Sequence, residues 1–314
     1  MNVIRPNIND VDYKPCIATI GFFDGVHKGH RFLIRQVERY SRERSLPAAL
    51  ITFTKPPRQV VQHGYKPELL TTLDEKIGLL SDTGVDECLL LEFTKEMAQL
   101  SARDFMAHIL GDKFHVEVLV IGYDHRFGHN RSEGFQEYLN YGRELGITVV
   151  HAPQYLYKGE KVSSSAIRTL LMQGNIRRAT EMLGCRYRLT GTVVKGFQVG
   201  RTINFPTANM LPDDSCKLVP ERGVYAVWVL LDGKRYMGML NIGTRPTVNN
   251  GANCTIETHI LHFSQDIYGH QFTIEFVARL RPEQKFDSLR SLQEQLEKDK
   301  IDCEHILSKY DAVP

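Results

Sequence analysis

Two histidines three residues apart carry the first chemical signal of the chain. They lie in Gly21-Phe22-Phe23-Asp24-Gly25-Val26-His27-Lys28-Gly29-His30, which reads as a strand end, an Asp-Gly turn and the first turn of a helix. Free N–H groups and the positive end of the helix dipole make such a junction an anion site. His27 and His30 project from the same side of that first turn. Gly29 between them lets a nucleotide approach the backbone closely. Two imidazole donors placed there hold a triphosphate and stabilise charge developing on it during transfer. A bare H-x-G-H would as readily be two solvated histidines; the strand and turn before it favour the phosphate reading.

Three further segments join this constellation. Gly122-Tyr123-Asp124-His125-Arg126-Phe127-Gly128 follows an apolar run, at a carboxyl edge where open α/β sheets bind ligands. Ser163-Ser164-Ser165-Ala166-Ile167-Arg168 opens a helix; a serine there is either an N-cap or a phosphate contact, and Arg168 suits a bidentate clamp on pyrophosphate. Lys55, at the end of Thr52-Phe53-Thr54-Lys55, offers one more charge.

A second, unrelated constellation lies in the other half. Gly200-Arg201-Thr202-Ile203-Asn204-Phe205-Pro206-Thr207-Ala208-Asn209 contains no Walker sequence. Gly196 and Gly200 allow backbone N–H groups to curl into an anion nest. Thr207 and Asn209 place two oxygens at alternate positions, on one side if the chain is extended. That donor set suits Mg²⁺, a hard ion that takes few protein oxygens beside phosphate and water. Glu257 lies mid-strand in Thr255–Phe263, on the same face as His259, where a carboxylate can act as general base. Taken alone, Pro-Thr-Ala-Asn reads as a turn and the lone Glu as a solvated strand face. Two nucleotide sites on one chain imply two consecutive reactions.

The elements around these residues divide the chain. In the first half, apolar runs at 16–23, 48–53, 87–91, 116–121 and 147–150 alternate with helical periodicity at 31–42, 72–80, 101–110 and 132–145. Thr72-Leu73-Asp74-Glu75 is a capping box. Such alternation implies a parallel sheet covered on both faces, an α/β/α layer. Two short helices at 164–172 and 175–183 close this half. Strand patterns then follow at 188–194, 224–231, 235–242, 255–263 and 272–280, with an Asp232-Gly233 hairpin signal and one terminal helix at 286–308. This density predicts an antiparallel β-barrel. The expected domains are 1–184 and 185–314. A net charge of +2 is too balanced for a nucleic-acid binder, and no run reaches the length of a membrane span. Six scattered cysteines without a C-x-x-C pair argue against a metal cluster or disulfide framework and for a reducing cytoplasm.

Over nearly its whole length the chain resembles the bacterial bifunctional riboflavin kinase/FAD synthetase family. The resemblance rests on Gly-Phe-Phe-Asp-Gly-Val-His-x-Gly-His, Gly-x-Asp-x-Arg-Phe-Gly, Ser-Ser-x-x-Ile-Arg and Phe-Pro-Thr-Ala-Asn, in that order. It implies a Rossmann-like nucleotidyltransferase domain followed by a riboflavin kinase-like barrel. By resemblance His27 and His30 bind ATP phosphates. Gly21, Phe22, Asp24, Gly29, Asp124 and Arg126 line the nucleotide and flavin pocket, and Ser164 and Arg168 hold phosphates. In the barrel, Gly200, Arg201, Thr207 and Asn209 bind ATP and Mg²⁺, and Glu257 is the base for the ribityl 5′-hydroxyl. The expected ligands are riboflavin, FMN, FAD and ATP, with neither nucleic acid nor membrane as partner. The chain departs from the family at three places: Pro56 stands for a histidine, Phe197–Val199 for a loop richer in Gly, Asp and Arg, and Asn204 for a glycine. The alternatives are a chain that keeps one of the two activities, a flavin-binding protein without turnover, or a transferase for another acceptor such as a cytidylyltransferase, against which the second module speaks.

Overall fold

The computed structural model of the chain describes residues 1–6, 13–129, 132–196, 200, 203–245 and 253–310. It divides into two compact units, Met1–Ser164 and Ser165–Pro314.

The first unit is built on six parallel strands: β1 (Asn2–Ile4), β2 (Cys16–Ile20), β3 (Ala48–Phe53), β4 (Glu87–Leu91), β5 (Val116–Ile121) and β6 (Thr148–His151). Their order is β1-β4-β3-β2-β5-β6, so the chain reverses direction across the sheet between β2 and β5. Every residue of β2 and β3 is buried, because alternate side chains feed two cores. Ala18, Ile20, Ala49 and Ile51 face one, Ile17 and Leu50 the other. Helix α1 (Lys28–Arg44) covers the second face with Leu33, Ile34 and Val37. The remaining helices of the unit are α2 (Pro57–Val61), α3 (Leu73–Ser81), α4 (Lys95–Gln99), α5 (Ala102–Asp104) and α6 (Phe135–Leu145). The expected capping box forms at α3: Thr72 accepts from the Glu75 N–H at 3.2 Å and Glu75 from the Thr72 N–H at 2.9 Å. The helix expected at 101–110 starts as α5 and continues as π-helix over Phe105–Lys113. A small hairpin, β7 (Leu156–Tyr157) with β8 (Glu160–Lys161), follows β6.

The second unit begins with α7 (Ser164–Met172) and α8 (Ile176–Leu183). These helices lie with the barrel because α8 packs on its strand β14 (Gln271–Arg281) and the Glu221 N–H donates to Leu171 O at 3.0 Å. The compact units therefore meet twenty residues before the boundary drawn from the sequence pattern, where the helices were counted with the first half. The barrel closes in the order β10-β13-β12-β11-β14-β9, from β9 (Arg188–Val194), β10 (Ala208–Pro212), β11 (Gly223–Leu231), β12 (Lys234–Arg245), β13 (Asn253–Ile260) and β14. Asp232 and Gly233 turn β11 into β12 with φ of 48° and 73°, the left-handed pair a two-residue hairpin needs. Helix α9 (Leu289–Lys309) caps one side, burying Cys303 and Leu307 against Ala226, Trp228 and Met239. Among the described residues no helix is long and apolar enough to cross a membrane.

Candidate active sites

The first site lies at the carboxyl ends of β2 and β5, the point where the strand order reverses and open sheets form a crevice. The chain leaves β2 through a turn in which Phe23, Gly25 and Val26 take φ of 54°, 81° and 38°. Positive φ is sterically costly for a β-branched residue, and such strain survives only where surrounding contacts over-determine it. Those contacts are present. The buried Asp24 carboxylate accepts from the N–H groups of Leu70 and Thr71 at 3.0–3.1 Å and from the Thr71 hydroxyl at 3.2 Å. The Gly25 N–H donates to that hydroxyl at 3.0 Å. The Ser164 hydroxyl donates to Asp24 O at 2.9 Å. Asp24, expected to line the ligand pocket, and Ser164, expected to hold phosphates, thus spend these groups on the turn itself.

His27 is the N-cap of α1, and its Nδ1 accepts from the His30 N–H at 3.2 Å. That bond puts the ring proton on Nε2, where it can be donated. The two rings stack at 3.6 Å between centroids, 15° from parallel. His30 Nδ1 is sealed from solvent and has no hydrogen-bond partner among the described residues. Burial first, then His27, His125 and Lys76, hold the His30 imidazole well below its ordinary pKa, so it is neutral near pH 7. A side chain on Gly29 would press on the His27 ring and on Val162 O, both 3.2 Å from the Cβ position. One on Gly21 would meet the Phe23 ring at 3.1 Å.

The loop after β5 is pinned by buried Tyr138, whose hydroxyl donates to Phe127 O at 3.2 Å and accepts from Phe127 N at 3.1 Å. Asp124 and Arg126 on this loop are exposed. Asp124 pairs with Lys161 of β8, and that hydrogen bond holds its carboxyl below the usual range. Lys55 is exposed beside Pro56. Arg168 lies one turn into α7, within the second unit.

The second site forms where β10 enters the barrel. Asn209 is the register partner of Glu257 on β13, so neighbouring Cβ atoms share one face. The Thr207 hydroxyl donates to Glu257 Oε2 at 3.1 Å. Gly196 lies against Asn209: an added Cβ would sit 2.3 Å from its Nδ2. A Cβ added to Gly200 would likewise collide with Phe205 O. Asn204 has φ of 61°, the left-handed conformation that asparagine tolerates better than most residues. His259 Nδ1 donates to Pro206 O at 2.8 Å and keeps the segment against β13. A cavity of about 590 Å³ opens beside Thr207, Asn204, Thr258 and Phe263, within the size range of small-ligand sites. Arg201 and Phe197–Val199 lie outside the described residues.

The comparisons with known proteins divide the chain in the same two parts. The FAD synthetase family matches residues 10–166 and the riboflavin kinase family residues 183–307. The bifunctional riboflavin kinase/FMN adenylyltransferase of Escherichia coli is 36% identical over 96% of this chain and 96% of its own. That of Bacillus subtilis is 34% identical over 90% of each. The chain belongs to the bifunctional riboflavin kinase/FMN adenylyltransferase family. A solved structure described as a macrolide-efflux protein from Streptococcus pneumoniae shares the fold, with TM-score 0.88 and 30% identity over 97% of this chain and 99% of that one. Riboflavin kinase and FMN adenylyltransferase are accordingly the two activities of this chain, and both use ATP.

One residue beside the first candidate site was not singled out from the sequence. Lys76 of α3 is 2% exposed, and its ammonium donates to Phe22 O, Phe53 O and Thr52 Oγ1 at 3.2, 2.8 and 3.4 Å. The available signal was its spacing: Lys76 stands four residues before buried Leu80, where helical periodicity calls for an apolar residue.

Proposed function

We infer that residues 1–184 carry adenylyl transfer to FMN at His27 and His30, and residues 185–314 carry phosphorylation of riboflavin at Glu257. In the second site the ribityl 5′-hydroxyl gives its proton to Glu257 and its oxygen takes the γ-phosphoryl group of ATP, releasing ADP. The Thr207–Glu257 hydrogen bond at 3.1 Å carries this assignment. It aims a carboxylate oxygen at the segment that also borders a nucleotide-sized cavity. Thr207 and Asn209 are the residues we assign to Mg²⁺. The donor set fits a hard cation, since both offer oxygen and the Thr207 proton is already spent on Glu257. When bound, Mg²⁺ supplies charge neutralisation at phosphate oxygens.

In the first site an FMN phosphate oxygen attacks the α-phosphorus of ATP and pyrophosphate leaves. The Nε2–H of His27 and the neutral ring of His30 are donors that need no reorganisation as charge develops. Gly21, Phe22, Gly29, Asp124 and Arg126 are the residues we assign to the rest of this crevice. The six free thiols fit a reducing compartment, the cytoplasm. Incubation with riboflavin, ATP and Mg²⁺, followed by chromatography, tests the scheme. FMN is expected first and FAD after it, with ADP and pyrophosphate as co-products. Accumulation of FMN alone would reduce the chain to its kinase, and flavin binding without ATP consumption would remove both reactions.

A further inference from the structure

The buried ammonium of Lys76 is unusual in what surrounds it. All three of its N–H donors go to uncharged oxygens at the carboxyl ends of β2 and β3, which exhausts its donor capacity. No carboxylate forms an ion pair with it among the described residues. A buried charge without a counter-ion in direct contact is costly, and an apolar side chain of the same length would avoid that cost. The Lys76 ammonium also lies over the Phe22 ring, 4.2 Å from its centroid. Phe22 O is the last carbonyl before the strained Phe23–Val26 turn, and it accepts a second hydrogen bond from the Thr52 hydroxyl at 3.2 Å. The site directly above, with His30, is the one assigned to a polyanion.

We propose that Lys76 is a positioning residue of adenylyl transfer. Its ammonium fixes the Phe22–Val26 turn from below and serves as the buried counter-charge of the bound triphosphate, without touching it. The inference rests on the assignment of ATP to the His27–His30 site. It explains why a lysine occupies a core position of α3: its charge, which Asp24 offsets only without direct contact, is costly in the free protein and is matched further when ATP binds. The same charge is among the causes that keep His30 neutral.

The groups that face Lys76 electrostatically are Asp24 after β2, Cys88 on β4 and His30 on α1. Burial is the largest influence and lowers the Lys76 pKa to about 8, while Asp24 and Cys88 oppose it. Burial holds the Cys88 thiol up at about 11, so Cys88 stays neutral through this range. A lysine with a lowered pKa is charged below that value and loses its charge as pH rises through it. In the unmodified protein the KM for ATP in FAD synthesis from FMN should therefore rise as pH passes about 8. The KM for ATP in riboflavin phosphorylation, measured on the same sample, corrects for ionisation of ATP itself.

Lys76→Met keeps the length and removes the charge. It should raise the KM for ATP in FAD synthesis about ten- to a hundredfold, the range for losing a hydrogen bond made by a charged group, here those from Lys76 to the turn and strand ends, and abolish the rise near pH 8. Riboflavin phosphorylation should be unchanged. Imidazole titration by NMR should show the His30 pKa moving up, a shift that a purely structural role would not produce. Lys76→Arg should keep the low KM at pH 9. A KM for ATP flat from pH 7 to about 9.5 in the unmodified protein would overturn the proposal, and that measurement needs no variant to fold. If His30→Ala abolishes FAD synthesis while Lys76→Met leaves its KM unchanged, the inference fails and the site assignment stands. If neither variant affects FAD synthesis, the assignment itself fails.

Discussion

The turn after β2 and the start of β10 carry the groups we assign to phosphates, and different kinds of structure hold them. At the first, three of four consecutive residues have positive φ, and side chains from Asp24, Thr71, Ser164 and Lys76 lock the backbone in place. At the second, strand register does the work. Asn209 and Glu257 face the same way because they are paired across β10 and β13, and Thr207 reaches Glu257 from the residue before the strand. The turn that leads into the N-terminus of α1 bends the chain out of regular structure, and that bend needs tertiary support. A carboxylate base needs only a strand that points it correctly. The first site should therefore be sensitive to residues that never meet the ligand, the second mainly to those that do.

The sharpest test is a reciprocal pair of variants. Glu257→Gln keeps the shape and the hydrogen bond to Thr207 and removes the proton acceptor, a role worth about 10²–10⁴-fold. FMN formation should fall by that factor while FAD formation from supplied FMN persists. His30→Ala should do the opposite, lowering FAD formation about 10²–10³-fold, the effect of losing one preorganised donor. Riboflavin phosphorylation should stay near normal. Both rates are read by product chromatography. A variant that depresses both reactions equally would erase the division of labour.

The supporting role of Asp24 separates the two sites next. Asp24→Asn leaves one amide N–H group facing the donors of Leu70 and Thr71. The mismatch should cost about 1–3 kcal/mol. Thermal unfolding should show the first unit destabilised and FAD synthesis reduced, with FMN production intact. Full stability with normal FAD synthesis would mean that the turn holds its shape without the carboxylate.

Much of this arrangement was legible in the sequence, for physical reasons that also explain the gaps. Ala48–Phe53, Glu87–Leu91, Val116–Ile121 and Arg188–Val194 were read with their observed ends, because buried strands give apolar runs bounded by turn residues. The first three lie in the parallel sheet covered on both faces. The Thr72–Glu75 capping box is a purely local device and was equally readable. Edge strand β1 is three residues long and hairpin β7–β8 has two residues per strand, too short for any periodicity. The π-helix at 105–113 carries a helical pattern and differs only in its hydrogen bonds. The inward use of Asp24 was invisible because its partners are 46 and 47 residues away. Lys76 is not among the residues that the motifs single out; its helical spacing from Leu80 hints at burial, and the strands beneath α3 make it a core residue.

Asn204 carries the smallest expected effect and the finest contrast with the strained turn. It stands where the family usually has glycine, with φ of 61°, and it borders the cavity beside Thr207. Asparagine visits the left-handed region at little cost, whereas alanine pays about 1–2 kcal/mol there. Asn204→Ala should lower the unfolding midpoint of the second unit by about 2–4 °C per kcal/mol lost. Asn204→Gly should keep both the midpoint and the rate of riboflavin phosphorylation. That outcome would show that the position needs a backbone conformation and nothing more. If Asn204→Gly instead raises the KM for ATP in the kinase step while the midpoint stays put, the carboxamide itself faces the nucleotide. The second site would then share with the first a dependence on a residue outside its strand register.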